Sequence, residues 1–136
     1  MTDRRETGRT ILRKVIGEEY FRNREAGTNA FNAESRRISE EYCFGEIWDR
    51  PGLDRRTRSL LCLVIMTALN RRNEFKSHVN GAINNGVTLD EIREALLQTI
   101  IYCGLPAGLE AIRNAEEVFK TRGIAIPGVG EELPRG

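Results

Sequence analysis

The run Leu60, Leu61, Leu63, Val64, Ile65, Met66, Ala68 and Leu69 constrains this chain more than any other stretch, because its apolar side chains cover every side of a helical wheel. A helix of that kind is wrapped by other helices rather than facing water along one side. The run is about half the ~20 residues a membrane span requires, so its cover must come from the protein's own neighbouring helices. A second helix follows from Asn73. Phe75, Val79, Ala82 and Ile83 form its apolar stripe, and His78, the sole histidine, lies on the stripe's margin with Glu74 one turn earlier.

Periods and caps outline the other elements. Ile11, Leu12, Val15 and Ile16 recur at helical spacing over residues 5–16, and Gly17 ends that helix. A polar connection with Gly27 and Asn29 leads to a second pattern, Ala30, Phe31, Ala33, Ile38 and Tyr42, also read as helix. From Cys43 to Trp48 the aromatics crowd against Gly45. This stretch reads as a loop with large side chains, closed by the turn Arg50-Pro51-Gly52. Asp54 is placed to cap the core helix.

Asn85-Gly86 stops the histidine helix, and Thr88 with Glu91 supplies a capping box in which Val87 and Ile92 form the hydrophobic staple. The helix from Leu89 to Tyr102 carries Ile92, Leu96, Thr99 and Ile100 on one face. Gly104 ends it, and Pro106 opens the last helix in its first turn, where no amide is needed. That helix reaches Arg122, with Ala107, Ile112, Ala115 and Val118 as its buried set and Gly123 as its stop. Residues 124–136 show no period and are expected to be disordered or draped over a partner subunit. The expected fold is all-α, a single helical domain over residues 1–123 followed by this tail.

Composition narrows the function classes. At 136 residues, 40% hydrophobic and 30% charged, the chain fits one compact core. Its 21 basic and 20 acidic residues leave a net charge of +1, without the global footprint of nucleic-acid binding. A helix-turn-helix reading of Asn85-Gly86-Val87-Thr88 meets the same objection. The helix starting there would present Asp90, Glu91 and Glu94 to phosphates. Cys43, Cys62 and Cys103 form no C-x-x-C pair, which argues against a disulfide framework and against a zinc knuckle. A reducing cytoplasm is the expected compartment, and the Arg- and Glu-rich first ten residues are no secretory signal.

There is no phosphate-cradling glycine loop, nucleophile elbow or metal-spaced cluster in the sequence. What remains is His78 with Glu74 at i−4, a pairing able to fix the ring's tautomer and raise its pKa, and equally able to be an ordinary structural pair. Trp48 and Tyr102 read as core or interface aromatics, and Cys62 as an inert small hydrophobe. Arg55, Arg56 and Arg58 set positive charge at the positive end of the core helix's dipole, each unfavourable by roughly 0.3–1 kcal/mol when exposed. Either nearby carboxylates such as Asp49 and Asp54 compensate them, or an anionic ligand does.

The elements Trp48-Asp49-Arg50-Pro51-Gly52-Leu53, Arg56-Thr57-Arg58-Ser59-Leu60, Asn70-Arg71, Glu74, His78, Asn84-Asn85-Gly86-Val87-Thr88 and Tyr102-Cys103-Gly104-Leu105-Pro106-Ala107, in this order and spacing, resemble the carboxymuconolactone decarboxylase family of the alkylhydroperoxidase-like superfamily. The resemblance covers most of the chain. It implies an all-α bundle that decarboxylates 4-carboxymuconolactone to the β-ketoadipate enol-lactone in protocatechuate catabolism, without cofactor or metal, as a ring-like homo-oligomer, a hexamer. One departure lies at Pro106-Ala107-Gly108-Leu109, where the decarboxylase pattern continues Pro-Ala-Ala-Asn and so keeps a polar side chain. That departure leaves room for a different lactone or cyclic enol acid, or for a non-catalytic member. Peroxidase members of the superfamily carry C-x-x-C-x-x-x-H, two thiols for disulfide redox. Here Arg71 and Glu74 hold the thiol places, and Ser59 stands where those reductases carry a proton-relay glutamate. For a substrate that is an unsaturated lactone with two carboxylates, the resemblance implies His78 as proton donor, Glu74 as its orienting partner, Arg58 and Arg71 as anion-binding groups, and Trp48 and Tyr102 as apolar walls.

Overall fold

A computed structural model describes residues 3–136; Met1 and Thr2, the start of the charged opening stretch, lie outside it. The described chain is helical and, among those residues, has no strand: α1 (Arg4–Ile16), α2 (Glu18–Ala26), α3 (Ala33–Ile38) running directly into a π-helical segment (Ser39–Ile47), α4 (Arg55–Leu69), α5 (Arg72–Asn84), α6 (Leu89–Cys103) and α7 (Leu105–Thr121). The all-α expectation holds. No helix among the described residues is long and apolar enough to cross a membrane.

The caps explain where helices start. Asp54 accepts from the Thr57 amide at 2.8 Å, satisfying a first-turn donor of α4. At α6 the capping box closes both ways, with the Thr88 hydroxyl accepting from the Glu91 amide at 3.1 Å and the Glu91 carboxylate accepting from the Thr88 amide at 2.9 Å. Val87 and Ile92, the staple, are each 1% exposed. Asn70 ends α4 in the left-handed region at φ 59°, a conformation asparagine tolerates better than branched residues do.

Burial divides into two clusters. Leu63 of α4, Phe75, Val79 and Ala82 of α5, Leu89, Ile92 and Leu96 of α6, and Ala111, Ala115, Val118 and Phe119 of α7 make the larger one. Ile11, Leu12, Val15, Phe21, Phe44 and Trp48 make the other, with Cys62 packed against it. Helix α5 runs between them. Gly81 lets it approach α1 so closely that a Cβ there would meet the Val15 side chain at 2.9 Å.

Several expectations are corrected. The apolar core helix is not wrapped on all sides, since only Ser59, Leu63 and Thr67 of α4 are buried, while Leu61, Ile65 and Leu69 are exposed. Residues 18–26 are helix α2 rather than connection, anchored by buried Phe21 under the guanidinium groups of Arg9 and Arg13. The next helix begins at Ala33, and Phe31 is fully exposed instead of buried. The stretch read as a loop from Cys43 is the second half of the π segment, whose last turn closes with the Trp48 amide donating to the Cys43 carbonyl at 3.0 Å. The tail lies on its own chain: Ile124 and Leu133 pack against the larger cluster, and Gly136 lies against Leu89 and Ile83.

Candidate active site

The site assembles where the smaller cluster meets α5. Trp48, just past the π segment and 6% exposed, stacks on His78, with ring centroids 6.4 Å apart and planes 12° from parallel. Phe44 also packs on the indole, with ring centroids 5.3 Å apart and planes tilted by 32°. Cys62 of α4 packs against the same cluster, and Arg58 stands one turn before it.

Two polar atoms here, His78 Nδ1 and Arg58 Nε, are buried and have no hydrogen-bond partner among the described residues. Buried polar groups are nearly always paired, so these two atoms are suited to receive polar groups of a substrate. Arg58 donates from Nη2 to the Arg50 carbonyl at 3.2 Å, which holds the guanidinium by one edge. Among the described residues it makes no ion pair. Arg56, by contrast, pairs with Glu91 and donates to the Gly86 carbonyl at 3.3 Å. Arg56 is thus compensated by a carboxylate, Glu91, with the Asp54 charge beside it, whereas Arg58 pairs with neither Asp49 nor Asp54. Arg56 reaches across to α6, and Arg58 keeps a free donor.

Glu74 does not hydrogen-bond to His78, and the expected rise in the histidine's pKa is reversed. Burial pushes the imidazole below its ordinary value, and the nearby Glu74 charge offsets this only in part. The sequence shows the carboxylate at i−4 but not the desolvation that outweighs it. Cys62 is pushed up to about 11, mainly by burial, and so is a neutral thiol near pH 7.

Within one chain, Arg71 and Tyr102 do not join this locus. Arg71 lines a crevice with Asn70, Ala107, Glu110 and Asn114, between the start of α5 and α7. Tyr102 is 82% exposed at the end of α6.

A polar centre that the sequence did not reveal lies near the start of the π segment. Glu40 of the π segment is 1% exposed and accepts from Arg5 at 2.8 Å, Arg9 at 3.1 Å and Arg24 at 2.6 Å. Burial pushes this carboxyl up, but the hydrogen bonds from Arg24 and Arg5 and the adjacent positive charges outweigh it and hold it below the usual carboxylate range. The only trace in the sequence is Arg5 and Arg9 one turn apart on α1.

Comparison with known proteins gives the family. Residues 33–117 match the carboxymuconolactone decarboxylase family. A 4-carboxymuconolactone decarboxylase from Acinetobacter baylyi is 39% identical over 125 residues, covering 92% of this chain and 93% of the relative. A nitrosuccinic acid decarboxylase from Metarhizium robertsii is 41% identical over 105 residues, covering 77% of this chain and 73% of the relative. The chain belongs to the carboxymuconolactone decarboxylase family and, like these two relatives, is a carboxy-lyase.

Proposed function

We propose that the chain removes carbon dioxide from 4-carboxymuconolactone, giving the enol-lactone of the β-ketoadipate route. The observation that carries the reading is the unpartnered His78 Nδ1 beneath Trp48 in a chain so similar to a decarboxylase of that substrate. In the reaction the bond from the ring carbon to the leaving carboxylate breaks. Its electron pair delocalises through the ring double bond into the lactone carbonyl, so the substrate is its own electron sink. The protein's tasks are to grip the remaining carboxylate, favour the charge growing on the lactone oxygen, and return a proton to the ring.

His78 is the proton donor in this reading and Arg58, with its free Nε, grips a carboxylate. Burial favours neutral imidazole. A dianionic substrate bound beside it favours the imidazolium, so binding itself charges the acid. Glu74 adds to the same effect. Trp48 keeps water from the ring.

The chain works as a homo-oligomer in this reading. Leu61, Ile65 and Leu69 repeat every four residues along α4, and Ile101 and Tyr102 stand 78% and 82% exposed on α6. Such stripes are covered by further copies, and Arg71 and Tyr102 then serve a neighbouring chain's site.

A second substrate reading rests on the nitrosuccinic acid decarboxylase relative and on Leu109, where the decarboxylase pattern has asparagine. A nitro group, like an unsaturated lactone, accepts the electron pair left by carbon dioxide. Incubating the purified protein separately with 4-carboxymuconolactone and with nitrosuccinate, and following carbon dioxide release, decides between them. Turnover of nitrosuccinate alone would replace the first reading by the second. No turnover of either would remove both.

A further inference from the structure

Glu40 is joined to the His78 site by a continuous piece of backbone. It stands one residue into the π segment that ends at Ile47, and the next residue is Trp48. A nine-residue π-helix is unusual, because its i→i+5 bonding leaves backbone packing poorer than in an α-helix. Two features hold it here. Gly8 and Gly45 bring α1 onto the π backbone with no room for a side chain: a Cβ on Gly8 would lie 2.7 Å from the Glu40 carbonyl carbon and 2.8 Å from the Gly45 nitrogen. Beside that contact the buried Glu40 carboxylate ties the segment to Arg5 and Arg9 of α1 and to Arg24 of α2. The register so fixed decides where Trp48 emerges.

We propose that Glu40 is a positioning residue: its three arginine contacts hold the π segment in the register that lays Trp48 against His78. Breaking the carboxylate's hold lets the segment relax toward α-helical bonding, which rotates the residues after it and moves the indole off the imidazole. The role is independent of which acid the enzyme decarboxylates.

The chain's single tryptophan and single histidine make this measurable, because an imidazolium against an indole quenches its fluorescence and neutral imidazole does so far less. Few other groups interfere between pH 5 and 8. On α5 the charged neighbour is Glu74, whose charge acts on His78. From α4 the facing groups are Arg58 and Cys62, the thiol pushed up to about 11 and so neutral in this range. Around Glu40 the charged groups are Arg5, Arg9 and Arg24, with Glu25 sharing Arg9.

The expected result is that wild-type emission falls on acidification with a midpoint below the ordinary histidine value of about 6.5, and that His78→Gln abolishes the transition. In Glu40→Gln the midpoint moves up toward the ordinary value and emission shifts to longer wavelength as the indole meets water. A Glu40→Gln protein with native helical circular dichroism and unchanged emission and midpoint would overturn the proposal, even if its melting temperature fell. Should that variant fail to fold, Arg24→Gln removes the shortest of the three contacts and is read in the same way. Because emission is read without substrate, failure here is separable from failure of the decarboxylase reading.

Discussion

Gly108 of α7 lies against the α6 backbone at Ile100, so close that a Cβ would stand 2.9 Å from the Ile100 Cα and 3.0 Å from its nitrogen. The departure from the decarboxylase pattern at this position is therefore a packing feature. Gly108 is buried between helices, and only its neighbour Leu109, 39% exposed, faces outward. Gly108→Ala is expected to cost about 1–3 kcal/mol, the usual range for overpacking, despite the higher helix propensity of alanine. Urea denaturation would measure it. A neutral or stabilising result would mean that α6 and α7 separate readily.

His78→Gln keeps a polar side chain of similar reach but cannot donate a proton from a charged form. The expected loss in kcat is on the order of 10² to 10⁴ on the preferred substrate, with little change in melting temperature, because Nδ1 makes no hydrogen bond to lose. Glu74→Gln separates orientation from charge. The Glu74 charge raises the His78 pKa against burial, so its removal should move the limb of the pH–kcat/KM profile that reports His78 to lower pH. Full activity in His78→Gln would defeat the assignment.

What the sequence disclosed and what it hid follow a physical line. The α6 start was legible, because Thr88, Glu91, Val87 and Ile92 act within one turn of each other. Helix α2 was not, since Phe21 is its one buried residue and no apolar period develops. The π segment imitates a loop in sequence because i→i+5 bonding has no stripe of its own. Glu40 was hidden by distance: its partners lie 35, 31 and 16 residues away, and one carboxylate among 20 acidic residues carries no mark of burial. For His78 the sequence supplied the residue and its neighbour but not the indole above it. Burial of the ring sets the direction of the pKa shift.

The same shift makes stability depend on pH in a defined window. Native His78 resists protonation while the unfolded chain takes a proton near the ordinary pKa of about 6.5, so the unfolded state binds more protons as the pH falls through that value. Stability is therefore full above about pH 7 and declines on acidification, until the pH passes below the native pKa. The slope for one proton is at most about 1.4 kcal/mol per pH unit. Glu40, Glu25, Asp54, Glu91 and Glu117 are held below their usual values, so their contributions are lost only at lower pH and leave the window from pH 7 to 5.5 to the histidine. Urea melts should show this decline in the wild type and a flat response in His78→Gln.

The exposed stripe of α4 tests the assembly. Leu61, Ile65 and Leu69 are 43%, 46% and 59% exposed on the most apolar run of the chain, and a single copy offers nothing to cover them. On α7, Leu105 and Leu109 repeat the four-residue spacing at 56% and 39% exposure. Stable interfaces bury about 800 Å² per partner, and stripes on several helices can supply area of that order when copies meet. The wild-type protein is expected to sediment as a species larger than a dimer without added metal. Ile65→Glu puts a charge in the middle of the α4 stripe, which an interface cannot bury unpaired and a free surface accepts without penalty. It should shift the protein toward monomer with its helical circular dichroism intact, and lower activity if Arg71 or Tyr102 of a neighbouring chain serves the His78 site. A wild-type monomer at micromolar concentration would show that the α4 face is simply solvated, and would place Arg71 and Tyr102 outside the chemistry altogether.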